Sequence, residues 1–302
     1  MNARDVAVVT GATGGMGRVI ALALAERGMH VVTVARDPAR ADALRTDVAA
    51  TSGAGSLEVV AGDLSNRDGV VAAAAAIRAS HGAVHVLVNN AGAHYPEHRL
   101  SADGLELHIA VDYLAAYGLT TLLEAELRRG RARVVNLASD TLRDTRQLKL
   151  WGKPRPVSLD VDQLDDLGRL NPAGGFVPFE AYARAKLLAV VATYGLATRF
   201  AGDVTVNAVH PGIVSTGIID ELIPPALKPF GPLIRRGMLS PAEGASAALR
   251  LAIDPAPDET TGRYFVREVE TAAPPVVSDR GIQRRLCDTS DRFFAGGFRY
   301  AR

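Results

Sequence analysis

Tyr182 and Lys186 lie four residues apart in "EAYARAKLL" (180–188), a stretch of good helix formers. On a helix these positions share a face, so a phenol and an ammonium lean toward one small volume. A phenol so placed can exchange a proton with a substrate, whereas a solvated surface pair contributes little. Spacing alone leaves both readings open. Four glycines, Gly11, Gly14, Gly15 and Gly17, fall in "VVTGATGGMGRVIALALAERG" between an apolar run and an amphipathic stretch. They permit a tight turn, and the helix start beyond offers free N–H groups and a positive dipole end. Pyrophosphate binding is the chemistry that such a turn suggests. Ser139, after "RVVNLA", is by itself an ordinary turn or capping residue. His210, ending "DVTVNAVH", reads as a buried structural histidine. Cys287 is the only cysteine, which excludes an internal disulfide, and without a Cys/His cluster it argues against a structural zinc site. It reads as inert.

The elements that position these residues follow from periodicity. Short β-branched runs alternate with longer helical patterns: "VAVVT" (6–10), "HVVTVA" (30–35), "LEVVAG" (57–62), "VHVLVNN" (84–90) and "ARVVNLA" (132–138), then "DVTVNAVH" (203–210) and "GRYFVRE" (262–268). This is the βαβ signature of a parallel sheet. About seven strands with helices between them predict one Rossmann-type, doubly wound α/β domain over residues 1–302. Two stretches rich in Pro and Gly interrupt the rhythm, at about 140–178 and 217–240, each after a strand's carboxyl end. Ligands of open α/β sheets bind outside those ends, so both read as substrate walls or lids, or else as surface loops. The net charge of +1 and 22% charged residues give no nucleic-acid signal. The N-terminus lacks the pattern of a signal peptide and no apolar run is long enough to span a bilayer, so a cytoplasmic protein is expected.

The motifs together resemble the short-chain dehydrogenase/reductase family. "TGATGGMG" fits both glycine turns of that family, TGxxxGxG through Gly11, Gly15 and Gly17 and TGxxGxxG through Gly11, Gly14 and Gly17; "NNAG" (89–92) is similar to the motif of its shorter members. The long segment after Ser139, "TGRYF" (261–265) and "RRLCDTSDRFF" (284–294) are similar to the retinol-dehydrogenase-like and protochlorophyllide-reductase-like members, with a C-terminal extension from about 268. The resemblance implies a nicotinamide cofactor held by Gly11, Thr13, Gly14, Gly15, Met16 and Gly17. Asp63 and Leu64 would flank the adenine, and Asn90, Ala91 and Gly92 the adenosine ribose. Pro211, Gly212, Val214 and Thr216 in "HPGIVST" would wrap the nicotinamide. An acid ending the second strand would suit the 2′-hydroxyl of NAD, but here Ala35 is followed by Arg36, whose charge suits the 2′-phosphate of NADP. NADP(H) is therefore favoured, with NAD(H) open if Asp37 does the ribose work instead.

The resemblance also assigns the reacting centre: Tyr182 as general acid/base, Lys186 lowering its pKa and bonding the nicotinamide ribose, Ser139 orienting the substrate oxygen. At ~4 Å and an effective dielectric of ~20, an ammonium supplies about 4 kcal/mol, enough to bring a tyrosine to about 7. The family's fourth residue is an asparagine in the helix after the fourth strand, and this chain has Asp112 there. Its added charge either holds Lys186 cationic or draws it away from the tyrosine. The leading expectation is an NADP-dependent oxidoreductase acting on a carbonyl or alcohol of a mostly apolar small molecule, an apolar preference suggested by "IIDELIPPALKPFGPLI". The alternative is an isomerase, dehydratase or cyclase that uses Tyr182, Ser139 and Asp112 without net redox. A third reading is a non-catalytic dinucleotide-binding regulator, against which the intact Ser139, Tyr182 and Lys186 argue. Many relatives pair through the helices after the fourth and fifth strands, so a homodimer is possible, and the long insert could block that face.

Overall fold

The computed structural model describes residues 5–145, 153–215, 217, 237–254 and 260–297. β1 (Val6–Val9) and β4 (Val86–Asn89) are buried at every position. Parallel strands covered on both faces need apolar side chains throughout, which is why they read as continuous runs rather than alternations. With β2 (His30–Ala35), β3 (Ser56–Ala61), β5 (Arg133–Leu137), β6 (Thr205–His210), β7 (Tyr264–Val266) and β8 (Val269–Glu270) they form one sheet in the order β3-β2-β1-β4-β5-β6-β7-β8. All neighbours are parallel except β7 and β8. The sheet thus has eight strands, close to the seven expected. The eighth is a two-residue hairpin partner turned at Arg267, too short to leave a periodic signal.

Helices cover both faces. α1 (Gly15–Glu26), α2 (Pro38–Ala49) and α7 (Pro241–Ile253) bury Ile20, Leu24, Leu44 and Ala248 against Val9, Val31 and Val88. On the other face α3 (Arg67–Ser80), α4 (Ala115–Leu122) and the long α6 (Pro178–Arg199) pack against Val8, Val32, Leu87 and Val134. α5 (Glu124–Arg129) returns the chain to the sheet, and α8 (Arg280–Phe294) lies outside α4 and α6. α4 is preceded by a π-helical turn over Ile109–Leu114, with Asp112 inside it. Such a turn widens the helix locally and is frequent at functional sites.

The insert after Ser139 is more than a surface loop. Past residues 146–152, which fall outside the described part, it forms two 3₁₀ turns, Val161–Gln163 and Leu167–Arg169. Leu164, Leu167 and Leu170 are buried in the same core as Leu187 and Leu188 of α6. Most of the second insert, residues 218–236 with its apolar lobe, lies outside the described residues. Among the described residues no helix is long and apolar enough to cross a membrane.

Candidate active site

The strand order reverses between β1 and β4, where the chain leaves in opposite directions and a crevice opens at the carboxyl ends. An open cleft of ≈ 630 Å³ lies there, lined by Gly11, Thr13, Arg36, Asp63, Leu64, Ala91 and Gly92 among others. Seven sequence-predicted cofactor residues thus share one wall. Gly11 turns at φ 65, a conformation that favours glycine. A Cβ at Gly17 would stand 2.3 Å from the Gly11 carbonyl oxygen, so α1 and the turn touch through bare backbone. α1 has no side-chain cap at its start and no acid in its first turn. Its free N–H groups could receive an anion, with Gly14 and Gly15 at the helix start and Met16 one residue in.

Arg36 projects into solvent near Asp63, 3.7 Å from guanidinium to carboxylate. Asp37 instead caps α2, accepting from Ala39 N at 2.9 Å and Arg40 N at 3.3 Å. A carboxylate engaged in this way competes poorly for a ribose hydroxyl. Asn90 is also occupied: its amide donates to Thr10 O at 3.0 Å and Gly11 O at 3.3 Å. It pins the "NNAG" loop to the glycine turn, while Ala91 and Gly92 line the cleft. Asn89 donates to Asn136 Oδ1 at 2.8 Å and Asn136 to Thr193 Oγ1 at 2.9 Å, a buried chain that ties β4, β5 and α6 together behind the site. Pro211 and Val214 are buried after β6, and Gly212 turns at φ 95. Val214 bridges to Leu239. Thr216 lies outside the described residues, and His210 is half-buried at the end of β6 rather than fully buried.

The residues expected to react meet at the ends of β4 and β5. Ser139 caps the turn after β5 beside Tyr182, which with Lys186 is buried on one face of α6. Lys186, however, faces Asp112: Nζ lies 3.1 Å from Asp112 Oδ1 and donates to Leu137 O at 3.1 Å, while standing 5.7 Å from the Tyr182 ring centre. Asp112 Oδ1 also accepts from Ala93 N at 3.2 Å. Gly92 lets the pair approach the backbone, since a Cβ there would lie 2.6 Å from that oxygen. Burial presses Asp112 toward its protonated form and Lys186 presses it back. With two acceptors on the ammonium we take the pair as ionised. Burial opposes the Lys186 charge, but Asp112 and Tyr182 outweigh it and hold the lysine above its ordinary value. Tyr182 is consequently not brought to about 7. Burial raises it, Lys186 lowers it, Asp112 raises it again, and the net direction is upward.

The wall beside Tyr182 was not foreseen. The His94 ring stands 5.8 Å from the Tyr182 ring and that of His108 6.0 Å, both edge-on. His108 is held by Glu106 Oε1 at 2.8 Å and accepts from Tyr95 N at 3.0 Å. Asn171, from the insert, donates to Glu106 Oε2 at 2.8 Å. His94 is buried and its Nδ1 has no partner among the described residues. Burial, then His108, lowers its pKa to about 4. The only trace in the sequence is "ELH" just before the π turn, which looks like ordinary helix entry. Cys287 is far from this centre, and burial pushes its thiol up to about 11, as suits an inert residue.

Fold and crevice define a Rossmann-type α/β protein with a polar site at its switch point. A family model described as short chain dehydrogenase matches residues 5–147. The chain is 33% identical over 93% of its length to a polyprenol dehydrogenase of Danio rerio, covering 84% of that protein. It is 32% identical over 94% of its length to retinol dehydrogenase 12 of Bos taurus, again covering 84%. Among solved structures, one from Beutenbergia cavernae, described as an NAD(P)-dependent gluconate 5-dehydrogenase with bound NADP at low occupancy, superposes with a TM-score of 0.63 at 27% identity. That match covers 87% of this chain and 95% of the other. The chain belongs to the short-chain dehydrogenase/reductase family, in its retinol-dehydrogenase-like branch, and is an oxidoreductase by that membership.

Proposed function

We propose that the protein is an NADP(H)-dependent enzyme that reduces a carbonyl, or oxidises the matching alcohol, on a mostly apolar small molecule. The meeting of Ser139, Tyr182 and Lys186 beside the "NNAG" loop carries this reading. The glycine cradle and the uncapped start of α1 fit a pyrophosphate. Arg36, solvated and beside the cleft, fits a 2′-phosphate, while Asp37 is engaged at its helix. The apolar substrate class draws support from relatives named for polyprenol and retinol.

The nicotinamide supplies or accepts the hydride, and the remaining work falls to the chain's own residues. In reduction, Tyr182 Oη gives its proton to the substrate oxygen as the carbon–oxygen double bond becomes single, and Ser139 Oγ holds that oxygen. The Lys186 cation steadies the phenolate left behind. In oxidation the proton returns to Tyr182. Pure protein with NADPH and a panel of apolar aldehydes and ketones tests this: cofactor oxidation is expected, reduced roughly 10²–10⁴-fold by Tyr182→Phe. NADPH binding with no turnover of any panel member would leave a regulator.

A second reading rests on the Lys186–Asp112 pair, in which a buried carboxylate engages the ammonium and opposes its effect on Tyr182. Acid/base chemistry without net redox then becomes the site's work. Product formation with unchanged nicotinamide absorbance would support it against the first.

A further inference from the structure

His30, Glu58 and His81 are spread over the sequence, and the fold brings them to one point at the amino-terminal end of the sheet, opposite the candidate active site. His30 opens β2, Glu58 sits in β3 and His81 ends α3. One potential ligand atom from each lies within 4.8 Å of the other two. Both imidazoles bring Nε2 close to the same oxygen: Glu58 Oε2 is 3.0 Å from His81 and 3.5 Å from His30. A tetrahedral ion with bonds of about 2.0–2.1 Å sets adjacent ligand atoms about 3.3–3.4 Å apart, between these two distances. His30 also has an outer-shell partner. His30 Nδ1 lies 2.7 Å from Ser56 Oγ, and donating there leaves the Nε2 lone pair facing the centre. The rings stand 5.1 Å apart at 46°, splayed around that centre rather than stacked. The side chains are 29%, 31% and 12% exposed for His30, Glu58 and His81, so water can supply a fourth ligand.

We propose that His30, Glu58 and His81 bind a divalent transition-metal ion of the zinc class. Two neutral imidazoles and one carboxylate suit that class and not calcium or magnesium, which take mainly oxygen. β3 is the edge strand of the sheet. An ion here joins it to β2 and to the end of α3, securing an edge that hydrogen bonds hold from one side only.

The test is calorimetric titration of chelator-treated protein with Zn²⁺, with melting followed in parallel and Co²⁺ as a spectroscopic probe. One saturable ion per chain, a higher Tm and a visible Co²⁺ band of tetrahedral type are expected. His81→Gln and Glu58→Gln, each close in shape, should weaken binding by at least about 10–100-fold and remove the Tm rise, and Ser56→Ala about tenfold. Turnover at the Tyr182 site should not change in any of these. Absence of saturable binding up to millimolar Zn²⁺ would overturn the proposal. So would equal binding by the wild type and by a His81→Gln, Glu58→Gln double variant that melts cooperatively, since the ion would then sit elsewhere.

Discussion

Asp112 changes what Lys186 can do. In a buried pair at 3.1 Å, the carboxylate holds the ammonium cationic, and its own negative charge raises Tyr182. Asp112→Asn removes that charge, so Tyr182 should titrate at lower pH. Reduction uses the protonated phenol and fails as pH rises through its pKa, while oxidation uses the phenolate and gains there. In the variant the alkaline limb of reduction should move to lower pH, and oxidation at neutral pH should rise. Profiles of kcat/KM in both directions measure this, and an unmoved limb would show that Asp112 does not act on the tyrosine. His94 makes a separate prediction. Burial and His108 hold it at about 4 against an ordinary 6.5, so the folded state binds its proton less tightly than the unfolded chain does. Its contribution to stability is therefore complete above about 6.5 and declines as pH falls toward about 4, by roughly 3 kcal/mol at most. Denaturant titrations across that window should show the decline, and His94→Phe should flatten it.

At the scale of elements, the glycine turn and the insert differ in how openly they announce themselves. Gly17 touches the Gly11 carbonyl, so Gly17→Ala must push α1 off the turn, whereas a Cβ at Gly14 meets nothing within 4 Å. Gly17→Ala should lower both stability and NADPH affinity. Gly14→Ala, at extended φ −172, should fold normally, so a loss of affinity there reports contact with the cofactor. Melting and fluorescence titration separate the two. This turn, the strand runs and the Tyr182–Lys186 spacing were legible because backbone geometry and local periodicity write themselves into neighbouring residues. The insert was not. Leu164, Leu167 and Leu170 reach the core from a Pro/Gly-rich stretch with no helical or strand period, and their partners on α6 lie far along the chain. The sequence raised the Asp112–Lys186 pairing but left its outcome open, since the two residues lie far apart in the chain and only the fold sets their distance. If the insert is core, Leu167→Ala should cost about 2–5 kcal/mol in denaturant unfolding, against near zero for a surface loop.

For the whole molecule, the question is what covers the outer face of α4 and α6, the surface through which relatives are expected to pair. The long insert was the suspected obstacle, but the chain's own C-terminal helix occupies the face. Tyr117 donates to Asp291 Oδ1 at 2.8 Å and to Cys287 O at 3.0 Å, and Tyr113 meets Ser290 at 2.5 Å. Arg199 of α6 ties Glu124 at 2.7 Å to Asp291 at 3.0 Å. Phe294 closes over Gly118, where an added Cβ would lie 2.2 Å from its ring. Tyr113, Tyr117 and Phe293 are buried at this junction, and apolar side chains there are not left bare to water. The intact chain should therefore not pair through α4 and α6. Gly118→Val should displace α8, because overpacking a tight contact costs about 1–3 kcal/mol and α8 is the movable partner. Sedimentation at micromolar concentration should show a monomer for the wild type and dimers or larger species for Gly118→Val, with proteolysis entering first within α8. A wild-type dimer that dissociates in the variant would place the pairing surface on α8 itself and defeat this reading.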